Sequence, residues 1–127
     1  EQGNALAQTN LGVMSVNGRG VTQDYAEAVK WYRLGAAQGN ATAQRNLGWL
    51  YERGYGVARN KTIAYALYEL AELVDAMHAD KASANINRLA ESLTAAKVET
   101  AHRLMVEMAK PNQFLDALDQ YVDSLPR

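Results

Sequence analysis

The chain contains no cysteine. Disulfides, thiolate metal sites and cysteine nucleophiles are excluded together, while the compartment stays open, because a cysteine-free chain suits the cytosol and does not exclude a periplasm. Histidine is scarce: His78 and His102 stand 102 − 78 = 24 residues apart, and neither has a second histidine four residues on, so no metal-ligand spacing is present. An excess of one charge sign is lacking too. Thirteen Lys and Arg stand against 14 Asp and Glu, for a net charge of −1, which argues against general nucleic-acid binding and against a membrane-surface role. No apolar run approaches the roughly 20 residues that span a bilayer, so membrane insertion is not expected. The first residues are not a basic-then-apolar stretch. The 127 residues, 48% of them apolar, suit one globular domain with a continuous core.

What is present is a stretch that occurs twice. Gly3-Asn4-Ala5-Leu6-Ala7-Gln8-Thr9-Asn10-Leu11-Gly12 returns as Gly39-Asn40-Ala41-Thr42-Ala43-Gln44-Arg45-Asn46-Leu47-Gly48, offset by 39 − 3 = 36 residues, with eight of ten positions identical. The echo continues: Gly18-Arg19-Gly20-Val21 matches Gly54-Tyr55-Gly56-Val57, and Ala28, Tyr32 and Leu34 match Ala64, Tyr68 and Leu70. A period of this length signals a stacked-repeat architecture, in which each unit is one supersecondary motif that cannot bury its apolar face alone. The opening Glu1-Gln2-Gly3-Asn4 parallels Ala37-Gln38-Gly39-Asn40 at the tail of a helix. A trimmed fragment, or a longer array with upstream repeats, is therefore expected.

Within each unit the apolar spacing predicts two helices joined by a glycine turn. In the first unit they run from Ala5 to Val16 and from Tyr25 to Gln38. The second unit places them at Ala41 to Arg53 and Lys61 to Val74. Asp24 and Asn60 are the expected N-caps. Glycine inside a helix costs roughly 0.5–1 kcal/mol, so Gly12 and Gly48 predict close approach of the partner helix. Ala64, Leu67, Tyr68 and Ala71 on one face and Ile63, Ala66, Leu70 and Leu73 on another suit a helix sandwiched between neighbours. After Val74 no Gly-x-Gly-Val turn appears near positions 90 to 92. A helix from His78 to Leu93, with Ala82, Ile86 and Leu89 inward, is still expected. A second, capped by Thr94, runs to Lys110 with Val98, Ala101, Leu104, Met105 and Met108 inward. Beyond Pro111, an amphipathic helix from Asn112 to Ser124 reads as a cap on the end of the stack, or as an arm that docks on a partner.

The string Ala-x-Ala-Gln-x-x-Leu-Gly, Gly-x-Gly-Val, Asp-x-x-x-Ala-x-x-Trp-Tyr-x-x-x-Ala-x-Gln-Gly resembles the Sel-one-like repeat, a relative of the tetratricopeptide repeat. Ala5, Gln8, Gly12, Gly18, Asp24, Trp31, Tyr32 and Gly39 carry it in the first copy, and Ala41, Gln44, Gly48, Gly54, Ala64 and Tyr68 in the second. Ser15, Leu67 and Glu72 depart from the pattern, the last two where the second unit meets the third. The resemblance covers residues 1 to 74 as two repeats, 3–38 and 39–74, leaving 75–127 as a degenerate repeat and C-terminal capping helices. It implies an all-α protein: a solenoid of antiparallel helix hairpins with right-handed, tetratricopeptide-like superhelical twist. It also implies no catalysis by the repeats and an adaptor or scaffold role toward proteins or peptides. Members occur widely in bacteria, often exported, and in eukaryotic quality-control complexes.

In such solenoids the first helix of each pair lines the concave face. The positions that the repeat pattern leaves free there are Leu6, Thr9, Asn10, Val13 and Asn17, and Thr42, Arg45, Asn46, Trp49 and Arg53; all but Leu6 and Thr42 form the candidate partner-binding surface. Asn46, Trp49 and Arg53 fall along one stripe, with the composition of an interface hot spot. Asparagine would bind peptide backbone, arginine a carboxylate and tryptophan an apolar group. The competing reading packs Trp49 between repeats, leaves Arg45 and Arg53 solvated, and makes Asn10 and Asn46 a shared structural hydrogen bond.

No reaction centre competes with this surface. Gly18-x-Gly20 and Gly54-x-Gly56 lack the third glycine of a dinucleotide loop, since Gln23 and Arg59 stand in its place. Ser15, Ser83, Ser92 and Ser124 have no nucleophile-elbow context. Asn40-Ala41-Thr42 and Asn60-Lys61-Thr62 match the glycosylation sequon, but both asparagines are repeat positions. The expectation is a non-enzymatic protein or peptide binder without cofactor or metal. The alternative is a structural spacer or self-association element, including a homodimer through exposed repeat ends.

Overall fold

Glycine and tyrosine set the spacing between helices in this molecule. The computed structural model describes residues 2–18 and 24–126. Among them the helices are α1 (Gln2–Asn17), α2 (Tyr25–Ala37), α3 (Ala41–Arg53), α4 (Lys61–Val74), α5 (Ala79–Ala90), α6 (Ala95–Ala109) and α7 (Phe114–Ser124), with a 3-10 turn at Ala76–His78 before α5. Helices α1 and α2 form one hairpin, α3 and α4 the next, and α2 packs on α3 to join them. A Cβ on Gly12 would lie 2.4 Å from Cε1 of Tyr32, and one on Gly48 would lie 3.0 Å from Cε1 of Tyr68. Each glycine therefore makes room for the tyrosine ring of its partner helix, which is the packing that outweighs its poor helix propensity.

Polar repeat positions close the helix ends and the joints. Asp24, Asn40 and Asn60 accept the N–H groups of Glu27 (3.1 Å), Ala43 (2.8 Å) and Ile63 (2.9 Å) as N-caps, and Thr94 caps α6 through Lys97 (3.2 Å). The asparagines of both sequons are thus helix caps. The buried Gln44 Nε2 donates to the Ala36 carbonyl at 3.1 Å across the joint between units. Gly54 ends α3 with φ +74, and Gly56 follows at φ +77, the left-handed region where only glycine is unstrained. The matching turn residues Gly20 and Val21 lie outside the described residues.

Helix α4 is the centre of the core. Thr62 through Tyr68, with Leu70 and Ala71, are buried, and α3, α5 and α6 all pack on it. Leu73, expected to face inward, is instead 63% exposed in the last turn. The third unit is not a regular hairpin: α5 and α6 both pack on α4 and hardly on each other. Ala84 stands 36 residues after Gly48, and the glycine turn is absent, so the close approach seen twice before is not repeated. Ala82, expected to face inward, has its side chain outside the described residues. Helix α7 buries Phe114 and Leu118, packs on α6 and reaches back to α2, where Arg33 pairs with Asp119 at 2.9 Å. It thus lies back against an earlier repeat.

Among the described residues, no helix covers one repeat face. Ala43, Leu47 and Leu50 are fully buried in α3. Their counterparts 36 residues earlier are exposed in α1: Ala7, Leu11 at 39% and Met14 at 38%.

Candidate functional site

The first helices of the three units present the same register to one cleft. Val13, Trp49 and Asn85 are separated by 49 − 13 = 36 and 85 − 49 = 36 residues, and all three line a cleft of about 420 Å³. Val16 and Asn17 from α1 and Arg45 and Asn46 from α3 complete its walls, with Tyr32 and Tyr68 behind them. The lining among the described residues holds no carboxylate, histidine, serine or cysteine, so it offers hydrogen bonds, apolar area and one cation but no acid–base pair.

The residues anticipated from sequence divide unevenly. Val13, Asn17, Arg45, Asn46 and Trp49 are brought together in the cleft. Thr9 is not on this surface: it is 2% exposed, its Oγ1 donates to the Ala5 carbonyl at 2.7 Å, and it abuts Gly35. A threonine is too short to leave its own helix, whereas the longer arginine at the same register, position 45, reaches the cleft lining. Asn10 is exposed and is not part of the lining. Arg53 is also exposed, with its guanidinium 5.2 Å from the Trp49 ring.

Trp49 both packs against the core and lines the cleft. The indole is half-buried against the core and meets Tyr55 edge-on at 5.4 Å, while Tyr55 stacks on Tyr25 at 4.8 Å. Its remaining surface lines the cleft. Sequence reasoning missed Val16, Tyr32, Tyr68 and Asn85. Carrying the 36-residue offset once more from Trp49 would have found Asn85 even though the turn pattern had ended. Nothing in the spacing shows that Tyr32 and Tyr68 stand behind the cleft with their hydroxyls engaged by Asn46 and Glu52.

Those hydroxyls are fixed hydrogen-bonding groups. Burial pushes the Tyr32 phenol up to about 12, opposed by its hydrogen bond with Asn46, so Asn46 is a structural partner as well as a wall of the cleft. Burial, with the adjoining Glu52, raises Tyr68 also, and its Oη donates to Glu52 Oε1 at 2.9 Å. Arg88 closes on the same carboxylate, one of its bonds at 3.2 Å, and also donates to Asn85 Oδ1 at 2.7 Å. Val16, Glu52 and Arg88 again share the 36-residue register.

Glu52 therefore ties α3 to both α4 and α5. Burial alone would raise its carboxyl, but the bonds from Arg88 and Tyr68 outweigh it and the net shift is below the ordinary 4.5. A carboxyl depressed on folding contributes stability that is fully present above its unfolded value and is lost as pH falls through the folded one. Below pH 4.5 the α5 amides are expected to exchange with solvent faster, relative to those of α3, as Glu52 protonates. Arg88→Ala should abolish that pH dependence. Hydrogen exchange across pH 3 to 6, roughly the carboxylate range, reads it; an unchanged profile in the variant would show that other carboxylates are responsible.

The comparisons with known proteins bear on this arrangement. The model of the Sel1 repeat matches residues 5–40 and 41–72, more than half of the chain and both helix pairs in sequence. The chain belongs to the Sel1 repeat family. Two solved structures are similar to it. One is a protective antigen present in uropathogenic Escherichia coli strains and displaying an SLR fold: TM-score 0.78, 28% identity, covering 98% of this chain and 26% of that one. The other is a Sel1 repeat protein from Oxalobacter formigenes: TM-score 0.63, 38% identity, covering 69% of this chain and 35% of that one. The chain thus spans between about a quarter and a third of these relatives. No curated protein sequence matches it.

The Sel1 repeat fold is a helical scaffold, and the pattern residues described above are its packing and capping groups. The differences between the copies, Val13 against Trp49 and Thr9 against Arg45, fall where the cleft is or where a side chain has withdrawn from it. No described helix is long and apolar enough to cross a membrane.

Proposed function

We propose that this chain is a non-catalytic interaction module that holds an extended peptide or a partner helix in the cleft between the first helices of its repeats. The observation that carries the reading is the convergence of Val13, Trp49 and Asn85, one from each unit, on a single cleft beside Arg45 and Asn46. An indole braced from behind by Tyr55 is pre-organised to give apolar contact, which lowers the ordering cost of binding. Asn17 and Asn85 are placed to meet peptide groups, and the neutral phenols offer no nucleophile.

Trp49→Ala is expected to weaken the partner captured from native cells by about 2 kcal/mol, roughly thirty-fold in Kd. Arg53→Ala removes an exposed cation whose contact with the ring is worth about 0.5–1 kcal/mol, so its effect should be several-fold at most. Titrating the purified partner against each variant, with folding checked by circular dichroism, decides the matter. Equal affinity of wild type and Trp49→Ala would sink the cleft reading. Self-association is the second reading, favoured by the exposed Leu11 and Met14 at positions buried in the next repeat. The mass of the free chain in those titrations, if that of one copy throughout, rejects it.

A further inference from the structure

We infer that the segment received by the cleft carries a carboxylate, and that Arg45 pairs with it; the inference rests on the cleft reading above. Arg45 Nη2 donates to Thr42 Oγ1 at 3.2 Å within its own helix. Nη1, by contrast, is buried and has no hydrogen-bond partner among the described residues. A guanidinium nitrogen withdrawn from water without an acceptor is destabilising, and native folds seldom keep one without a use. Arg45 is part of the cleft lining, so a turn of its guanidinium brings Nη1 to an acceptor supplied from within the cleft.

The surroundings specify the acceptor's charge. No Asp or Glu among the described residues lines the cleft. The nearby Glu52 is engaged by Arg88 and Tyr68. Arg53, beside Trp49, adds a second positive charge at the rim. The local field is therefore positive although the whole chain carries −1, and the unmet donor belongs to a planar guanidinium that matches a carboxylate. The position is particular to the second repeat, since Thr9 holds the same register in the first and bonds its own backbone. The carboxylate comes from an Asp or Glu side chain or from a chain terminus, next to an apolar group that sits on Trp49.

The test selects binders from random peptides prepared in two sets, one ending in a free carboxyl and one amidated. Binders that need Trp49 are expected to carry Asp or Glu at a constant distance from an apolar residue in both sets, or to come from the free-carboxyl set alone, which identifies the source. Arg45→Gln should weaken them roughly tenfold or more, with Arg45→Lys intermediate. Replacing the peptide's carboxylate by its amide should cost as much on wild type and almost nothing more on Arg45→Gln. Thermal unfolding of each variant confirms that it is folded. Peptides that require Trp49 but ignore both Arg45 and the carboxylate overturn this inference and leave the cleft reading standing. Failure to recover any Trp49-dependent peptide overturns both.

Discussion

Replacing Tyr68 by alanine should destabilise the fold by about 3–5 kcal/mol, the range for truncating a large buried aromatic. Typical domains are stable by only about 5–15 kcal/mol, so the variant is expected near the edge of folding. Tyr68 is fully buried on α4, the helix on which α3, α5 and α6 all converge. Its ring fills the space that Gly48 leaves open, so truncation opens a void that neighbouring side chains cannot fill without moving the two backbones together. Tyr68→Phe keeps the ring and removes only the bond to Glu52, a change of about 1 kcal/mol. Urea unfolding of the two variants beside wild type separates ring from hydroxyl. A Phe variant as unstable as the Ala variant would mean that the hydroxyl chain to Glu52, not the ring on Gly48, holds the repeat together.

The second large effect lies in the turn between α3 and α4. Gly56 has φ +77, and a Cβ there would stand 2.6 Å from the backbone carbonyl of Tyr25 in the preceding repeat. Alanine at this position meets two penalties: about 1–2 kcal/mol for left-handed backbone angles and about 1–3 kcal/mol for a steric conflict with backbone that cannot rotate away. A loss of about 2–5 kcal/mol is expected. Gly39 is the internal control, because its φ is +89 but nothing lies within 4 Å of the added Cβ. Gly39→Ala should therefore show the conformational penalty alone, about 1–2 kcal/mol. Equal losses at the two sites in thermal or urea unfolding would show that the turn does not bear on α2. The Gly56 variant should also disturb the cleft, since Tyr55 beside it bridges Tyr25 and Trp49.

Legibility followed the range of the interactions involved. Helices α3 and α4 have the ends anticipated from sequence, Ala41–Arg53 and Lys61–Val74, because caps, glycine turns and apolar spacing act over a few residues. The demand that Gly12 and Gly48 placed on a close partner was also readable, since a mid-helix glycine needs compensation wherever it recurs. In the cleft, Val13, Asn17, Arg45, Asn46 and Trp49 could be named from helical geometry and the repeat resemblance. Thr9 could not be told from Arg45, because the difference is one of side-chain reach beside Gly35. The third unit kept its first-helix register, Asn85 and Arg88, while losing its glycine turn, and the lost turn hid the kept register.

By itself the sequence determined that this is a helical repeat, where each hairpin turns, and which positions pack by small residues, because those features are set by backbone conformation and by contacts that recur with the 36-residue period. Only the tertiary structure decided that α5 and α6 open around α4, that α7 folds back to α2, and that one nitrogen of Arg45, a cleft residue, is buried without an acceptor among the described residues. Those outcomes depend on contacts between residues far apart in the chain and on the length and direction of individual side chains. A repeat period carries no information about either.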